Sequence, residues 1–167
     1  DFGGMYIKLI QFICLRTNVF SPEDKLRFLS FYDNAPVVDI DIHTTVIRAL
    51  GQEKAKQITS IDSTPFASGT FGQVYRARLM DGSDVVIKIK RPHVAEKLTY
   101  DFFVLWVLTK FFNFLVEQSI IDLDATLSEF RETTYQELDY LQESKNADHF
   151  YRQFRGHPRL YIPRTYL

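Results

Sequence analysis

The sequence has almost no cysteine and no excess of either charge. Cys14 is the one cysteine among 167 residues, which rules out a disulfide within the chain and argues against a disulfide-stapled secreted module. An intracellular, reducing location is therefore predicted, either cytoplasmic or at a membrane surface. The 20 basic and 21 acidic side chains leave a net charge of -1, so no nucleic-acid partner is indicated.

The first residues do not match the pattern expected of a signal peptide. No basic region precedes an apolar run near the start, and Lys8 interrupts the apolar residues that are there. The chain opens with "DFGG" and closes with "LYIPRTYL", so both ends are expected to continue into a longer protein. Apolar and aromatic side chains are abundant, at 46% and 15% of the residues, which is enough to build a core.

Helical patterns dominate the first sixty residues. The segment "GMYIKLIQFICLR" has apolar positions at helical spacing. In "SPEDKLRFLSFY", Ser21 is predicted to cap a helix, with Asp24 at the acidic position of a capping box. Further helices are predicted over residues 42–50, ended by Gly51, and over residues 54–59.

The apolar period changes from helical to two after Thr64. The segment "GQVYRARL" alternates as a half-buried strand does, Asp81-Gly82 is a hairpin turn, and "DVVIKIK" reads as the returning strand. Long helices are predicted over residues 94–117 and 123–154, and the closing "RLYIPRTYL" is predicted to be a strand. The predicted fold class is α+β: a small antiparallel sheet, long helices and a helical N-terminal extension.

A glycine-bearing loop, "FASGTFG", leads directly into the first of these strands. Rossmann and Walker loops open onto a helix, so the strand argues against both. Protein kinases place a glycine loop between two antiparallel strands over the phosphates of ATP. Glycine suits that position because no Cβ keeps the backbone amides away from anionic oxygens. The alternative is an ordinary flexible hairpin.

A lysine and three acids extend the kinase pattern. The segment "VVIK" puts Lys88 on the returning strand, where kinases hold the α and β phosphates with a lysine that pairs with a helix glutamate. Lys90 shares its strand face and is the competing candidate. Asp139 and Glu143 share a helix face, whereas Glu137 and Asp139 point to nearly opposite sides of a regular helix. A solvated acidic face is the alternative explanation.

Five segments, in this order, resemble the motifs of the UbiB / AarF / ADCK group of atypical kinases, which are tied to coenzyme Q (ubiquinone) biology. They are "GMYIKLIQFICLR", "FYDNAP", "PFASGTFGQVYRARLMDG", "VVIKIKRPHV" and "ELDYLQESKNADHF". The resemblance covers most of the chain. It implies a helical extension over residues 1–62 and a protein-kinase-like N-lobe over residues 63–167, with the kinase C-lobe as the missing partner.

The resemblance also implies a role for each matching residue of the nucleotide site. Lys88 would contact the phosphates of ATP, and Glu143 would pair with it, so these two are the predicted catalytic residues. The other nucleotide-binding residues implied are Ala67, Ser68, Gly69, Thr70, Phe71, Gly72 and Val74. Gly69 departs from the family, which has alanine there, and this predicts a loop closer to that of ordinary kinases.

The N-terminal extension is implied to regulate that site. Lys8 and Gln11 match the K-x-G-Q motif of the segment that folds over the active site, and Glu137 and Asp139 match the E-x-D motif that faces it. Ile10 stands where the family has glycine. Because a β-branched residue does not readily adopt positive φ, this segment is predicted to be plainly helical.

The second half of a kinase site does not follow Lys88 within these residues. A kinase needs a catalytic acid, an asparagine and a DFG aspartate that holds Mg²⁺, all downstream of the helix glutamate. "DFG" occurs only at residues 1–3, before the lysine, and is interpreted as coincidence, so no metal ligand is predicted. ATP is the predicted cofactor, Mg²⁺ is expected in the complete parent protein, and the chain alone is expected to be inactive.

Two other functions fit parts of the sequence. The apolar segment "FFVLWVLTKFFNFLV" fits a non-enzymatic, pseudokinase-like interaction module or a lipid-surface module, although Lys110 and Asn113 interrupt it and it is shorter than the roughly 20 residues of a spanning helix. A helix buried in the protein is the other explanation of this segment. A small-molecule kinase of the choline or aminoglycoside type shares the small lobe, but K-x-x-Q and E-L-D-x-x-x-E argue against it.

Overall fold

The computed structural model of the chain describes residues 3–16, 21–30, 35–115 and 122–166. The helices are α1 (Gly3–Arg16), α2 (Pro22–Ser30), α3 (Ile42–Leu50), α4 (Gln52–Ala55), α5 (Val94–Leu115), α6 (Leu123–Gln136) and α7 (Tyr140–Gln153). The strands are β1 (Ile58–Ile61), β2 (Ala67–Ser68), β3 (Gly72–Leu79) and β4 (Asp84–Lys90). The predicted α+β class is confirmed.

The chain forms two compact units, Asp1–Leu105 and Trp106–Leu167, and their boundary falls within α5. The sheet belongs to the first unit, and α6 and α7 belong to the second. The predicted division of the chain after residue 62 remains a prediction.

The sheet is organised around β3. Strand β4 pairs antiparallel with β3 along one edge, from Gly72 opposite Lys90 to Arg78 opposite Asp84. Strands β1 and β2 share the other edge of β3, one after the other. The turn between β3 and β4 contains Gly82 at φ 84°, a backbone conformation that favours glycine. The predicted hairpin is therefore confirmed.

The two faces of the sheet differ in burial, as the alternating pattern predicts. Tyr75 and Ile89 point to the covered face, where Ile42 and Val46 of α3 complete a buried apolar cluster. Burial of these four side chains fixes the register, because a one-residue slip would turn the apolar side chains to solvent. The other face is exposed and carries Arg76, Val86, Lys88 and Lys90.

Local signals place the early helices correctly. The Asp24 amide donates to the Ser21 hydroxyl oxygen at 3.1 Å, which confirms Ser21 as the helix cap, and that hydroxyl donates to the Asp24 carboxylate at 2.7 Å. Helix α3 matches its predicted span. The helix predicted over residues 54–59 is wrong at its end, because the β-branched residues from Ile58 onward form β1 and pair with β3.

Two predictions for the last third of the chain are wrong. The helix predicted over residues 123–154 is two helices, because Asp139 leaves helical geometry and accepts a hydrogen bond from the Gln142 amide at 2.9 Å as the N-cap of α7. The closing strand is also absent. Residues 160–166 belong to no helix or strand, and within the described residues no strand pairs with them. Pro163 also removes one backbone donor.

Candidate nucleotide-binding site

Lys88 and Val74, two of the predicted nucleotide-binding residues, are direct neighbours. They oppose each other across the β3–β4 ladder, so both side chains lie on the exposed face of the sheet. Lys90 opposes Gly72 on the same face, as the period of two predicts, and it is the last residue of β4. Lys88 therefore lies closer to the middle of the sheet than its competitor.

The glycine loop between β2 and β3 is closed by backbone hydrogen bonds. The Gly69 amide donates to the Gly72 carbonyl at 2.9 Å, and the Arg91 amide donates to the Phe71 carbonyl at 2.9 Å. Gly69 does not lie in the left-handed region, and a Cβ added there would meet the Gly72 carbonyl oxygen at an ordinary 3.6 Å. The Phe71 side chain is buried, so any contact of this residue with phosphate would come from its backbone.

Arg91 holds this loop and was not identified from the sequence. Its Nε donates to the Gly69 carbonyl at 3.0 Å, and its Nη2 donates to the Ser68 hydroxyl at 3.0 Å and to the Pro36 carbonyl at 2.9 Å. Burial lowers the pKa of the Arg91 guanidinium. One side chain thus ties the loop to the segment of chain that precedes α3.

Gln73 makes the second connection to that segment. Its fully buried side chain accepts from the Val38 amide at 2.6 Å and donates to the Val38 carbonyl at 3.0 Å and to the Tyr75 hydroxyl at 2.7 Å. The Gln73 side-chain amide therefore makes the pair of hydrogen bonds to Val38 that the backbone of a neighbouring strand would otherwise make. The period of two could have identified Gln73, because it places an amide on the buried face, where a partner is required.

The residues of the K-x-x-Q segment lie on α1. The Lys8 ammonium donates to the Gln11 side-chain oxygen at 2.9 Å, one helical turn away. Ile10 sits within this regular helix, which confirms the prediction of a plainly helical segment. Helix α1 ends at Arg16. The predicted regulatory role of Lys8 and Gln11 remains a prediction.

The acids of the E-x-D motif flank the break between α6 and α7. Glu137 is the C-cap of α6 and Asp139 is the N-cap of α7. The two acids therefore do not belong to one regular helix, and the expectation that they point to opposite sides of such a helix does not apply. Glu143 lies in the first turn of α7. Burial and the nearby Glu143 and Glu137 carboxylates raise the pKa of Tyr140 to about 12. Lys88 belongs to the other compact unit, and its pairing with Glu143 remains a prediction.

A metal site is not evident in the described part of the chain. Its His, Cys, Asp and Glu side chains form no group of three or more that could hold an ion.

Comparison with known proteins identifies the family. The sequence profile described as "ABC1 atypical kinase-like domain" matches residues 30–167. The chain belongs to this family. The resemblance predicted from the five segments is confirmed, as is the kinase-like fold.

Relatives of this ABC1-family chain are much longer than it is. It is 34% identical over 153 residues to the "Uncharacterized aarF domain-containing protein kinase At5g05200, chloroplastic" of Arabidopsis thaliana, covering 90% of this chain and 28% of that protein. It is 29% identical over 168 residues to the "Probable protein kinase UbiB" of Pseudomonas fluorescens, covering 99% of this chain and 32% of that protein. The chain thus spans about a third of these relatives' length.

A solved structure has the same fold. The structure of Rv3197 of Mycobacterium tuberculosis in complex with erythromycin matches with a TM-score of 0.64 at 25% identity, covering 94% of this chain and 39% of that one.

Proposed function

We propose that this ABC1-family chain is the ATP-binding lobe of an atypical kinase or ATPase that acts in ubiquinone biosynthesis inside the cell. The observation that carries the proposal is the placement of Lys88 opposite Val74 on the exposed face of the sheet, beside the glycine loop. A cation next to an apolar side chain suits a ligand that has both phosphates and an aromatic base.

The proposal assigns the other residues as follows. Backbone groups of residues 67–72 contact the phosphates, Glu143 pairs with Lys88, and the E-x-D acids face Lys8 and Gln11. Family membership over residues 30–167 supports the assignments that fall in this range.

ATP binding tests the role of Lys88, and Lys90 provides a matched control. Isothermal titration calorimetry on the chain is expected to give weak binding of ATP. Lys88→Ala is expected to raise Kd at least about tenfold, or about 1.4 kcal/mol. Lys90→Ala removes the same charge from the same face and is expected to change Kd less than about threefold, because Lys90 is at the end of β4, opposite Gly72 and not Val74. No ATP binding, or equal losses in the two variants, would contradict the proposal.

The predicted pairing of Lys88 with Glu143 has its own test. If the two side chains act together, Glu143→Ala weakens ATP binding in the wild type and has little further effect in Lys88→Ala. Additive losses in the double variant would show that Glu143 acts independently of Lys88.

The chain alone is expected to bind ATP without hydrolysing it, since the catalytic acid, the asparagine and the DFG aspartate do not follow Lys88 in this sequence. A phosphate-release assay checks this. Turnover that Lys88→Ala abolishes would show that these residues hold a complete active site.

A lipid-surface module is the second candidate, and the exposure of α5 favours it. Within the described residues this is the one helix long and apolar enough, by length and composition, to cross a membrane. In the second unit, Phe111 and Phe114 are 61% and 82% exposed. The Lys110 ammonium donates to the Asp124 carboxylate of α6 at 2.7 Å, and the Asn113 side-chain amide also donates to this carboxylate. The outward side chains nearby are therefore mainly apolar.

Flotation with phosphatidylcholine vesicles tests this second candidate. The chain is expected to float, and emission from Trp106, the one tryptophan, is expected to shift to shorter wavelength. The double variant Phe111→Ser/Phe114→Ser should not bind the vesicles and should stay at the bottom of the density gradient. The matched control Leu160→Ser/Tyr161→Ser also removes two exposed apolar side chains and should float. A chain that does not float has no affinity for such a surface.

A further inference from the structure

A cleft of about 360 Å³ opens in the first unit between α1, the glycine loop and the start of α5. Its volume is within the range of small-molecule sites. The floor is apolar: Met5, Phe71 and Leu98 line it and are 3%, 7% and 2% exposed. Thr70 and Phe71 of the glycine loop line it, whereas Lys88 and Val74 do not, so the cleft shares the loop with the proposed ATP site but not its lysine.

The polar side of the cleft carries more positive than negative charge. Arg91 and Lys97 line it, and Asp101 is its one carboxylate. Among the described residues, Lys97 has no hydrogen bond or ion pair through its ammonium group. The carboxylate of the neighbouring Glu96 is instead 3.0 Å from the His93 ring. A cation beside a buried apolar floor, without an anion of its own, favours an anionic ligand.

We propose that this cleft binds a small amphipathic anion, with its alkyl or aryl body on Met5, Phe71 and Leu98 and its carboxylate or phosphate at Lys97. The apolar body would displace water from buried apolar surface, and the acid group would gain a charge-assisted hydrogen bond. Arg91 contributes positive potential to the same side, although its Nε and Nη2 are bonded to backbone and hydroxyl oxygens.

The two methionines of the chain allow a direct test. Met5 is on the floor of the cleft and Met80 is in the exposed turn after β3, so methyl-¹³C-methionine NMR gives one reporter and one internal control. Octanoate is expected to shift the Met5 signal saturably and to leave Met80 in place. Octylammonium has an alkyl chain of the same length and the opposite charge, and it is expected to bind at least about tenfold more weakly.

Variants of Lys97 test whether its positive charge binds the carboxylate of the ligand. Lys97→Glu should weaken octanoate binding at least about tenfold, whereas Lys97→Arg should retain it, because both basic side chains can bind a carboxylate. Unchanged Met5 and Met80 signals in the ligand-free variants establish that the fold is intact. Lys88→Ala should leave octanoate binding unchanged, so failure of the ATP proposal would not remove this one.

Three results would overturn the inference: no shift of Met5, equal shifts of Met5 and Met80, or equal binding of octanoate and octylammonium. The last two would indicate unspecific contact with apolar surface.

Discussion

The side chain of Arg91 donates a hydrogen bond from its Nε to the backbone carbonyl of Gly69 at 3.0 Å. The residue that follows β4 therefore sets the position of the loop that precedes β3. Its Nη2 also bonds Ser68 and Pro36, so the loop and the segment before α3 are fixed by the same guanidinium. The loop owes its position to this contact as well as to its glycines.

Arg91→Ala is expected to lower the free energy of unfolding by about 1–3 kcal/mol, because three oxygens lose a charged donor. Urea unfolding followed by circular dichroism measures this. Arg78→Ala is the control: it removes an arginine whose ion pair with Asp84 is exposed, and it should cost less than about 1 kcal/mol. Equal costs would mean that Arg91 is an ordinary surface residue.

Gln73→Leu is expected to destabilise the chain by about 2–4 kcal/mol. The substitution leaves the amide and carbonyl of Val38 and the Tyr75 hydroxyl without their partner. Tyr75→Phe removes only one of these bonds and should cost about 1 kcal/mol. Urea unfolding of both variants gives the comparison. If the leucine variant were as stable as the wild type, Gln73 would not anchor residues 35–40.

Gly69→Ala is expected to be neutral or to stabilise the chain by about 0.4–1 kcal/mol. Its backbone is outside the left-handed region and space for a Cβ is present. The comparison substitution Gly82→Ala has open space for the Cβ but a φ of +84°, and it should destabilise by roughly 1–2 kcal/mol. Thermal unfolding distinguishes the two. A destabilising Gly69→Ala would mean that the loop needs glycine.

Tyr140 is expected to make stability fall as pH rises from about 10 to 12. The folded chain keeps its phenol protonated up to a pKa of about 12, whereas the unfolded chain loses the proton near 10. The unfolded state then binds fewer protons, so stability decreases across this range. The absorbance difference between the wild type and Tyr140→Phe should report one phenol titrating near pH 12. Titration near pH 10 would place Tyr140 in solvent.

Short-range signals predicted much of the fold. The Ser21–Asp24 cap, helix α3 and the β3–β4 hairpin follow from side chains that are close in sequence, and period two placed Lys88 and Lys90 on one face. The break before α7 was missed because the helical pattern of residues 123–154 continues across Asp139, whose carboxylate instead caps a new helix. Strands β1 and β2 are short and gain their geometry from β3.

The hydrogen bonds by which Arg91 and Gln73 hold the segment before α3 could not be predicted from short-range signals. Arg91 bonds a carbonyl 55 residues earlier, and Gln73 bonds both backbone groups of a residue 35 positions earlier. No local pattern encodes such contacts, because they exist only after the sheet and the extension have come together.

The junction between α6 and α7 sets the relative direction of the two helices. The backbone angles of residues 137–139 set the direction of α7 relative to α6. The Leu138 side chain, between the two helices, is buried and packs this junction into the protein. The directions of the Glu137 and Asp139 carboxylates therefore depend on the backbone angles of three residues and not on the length of either helix.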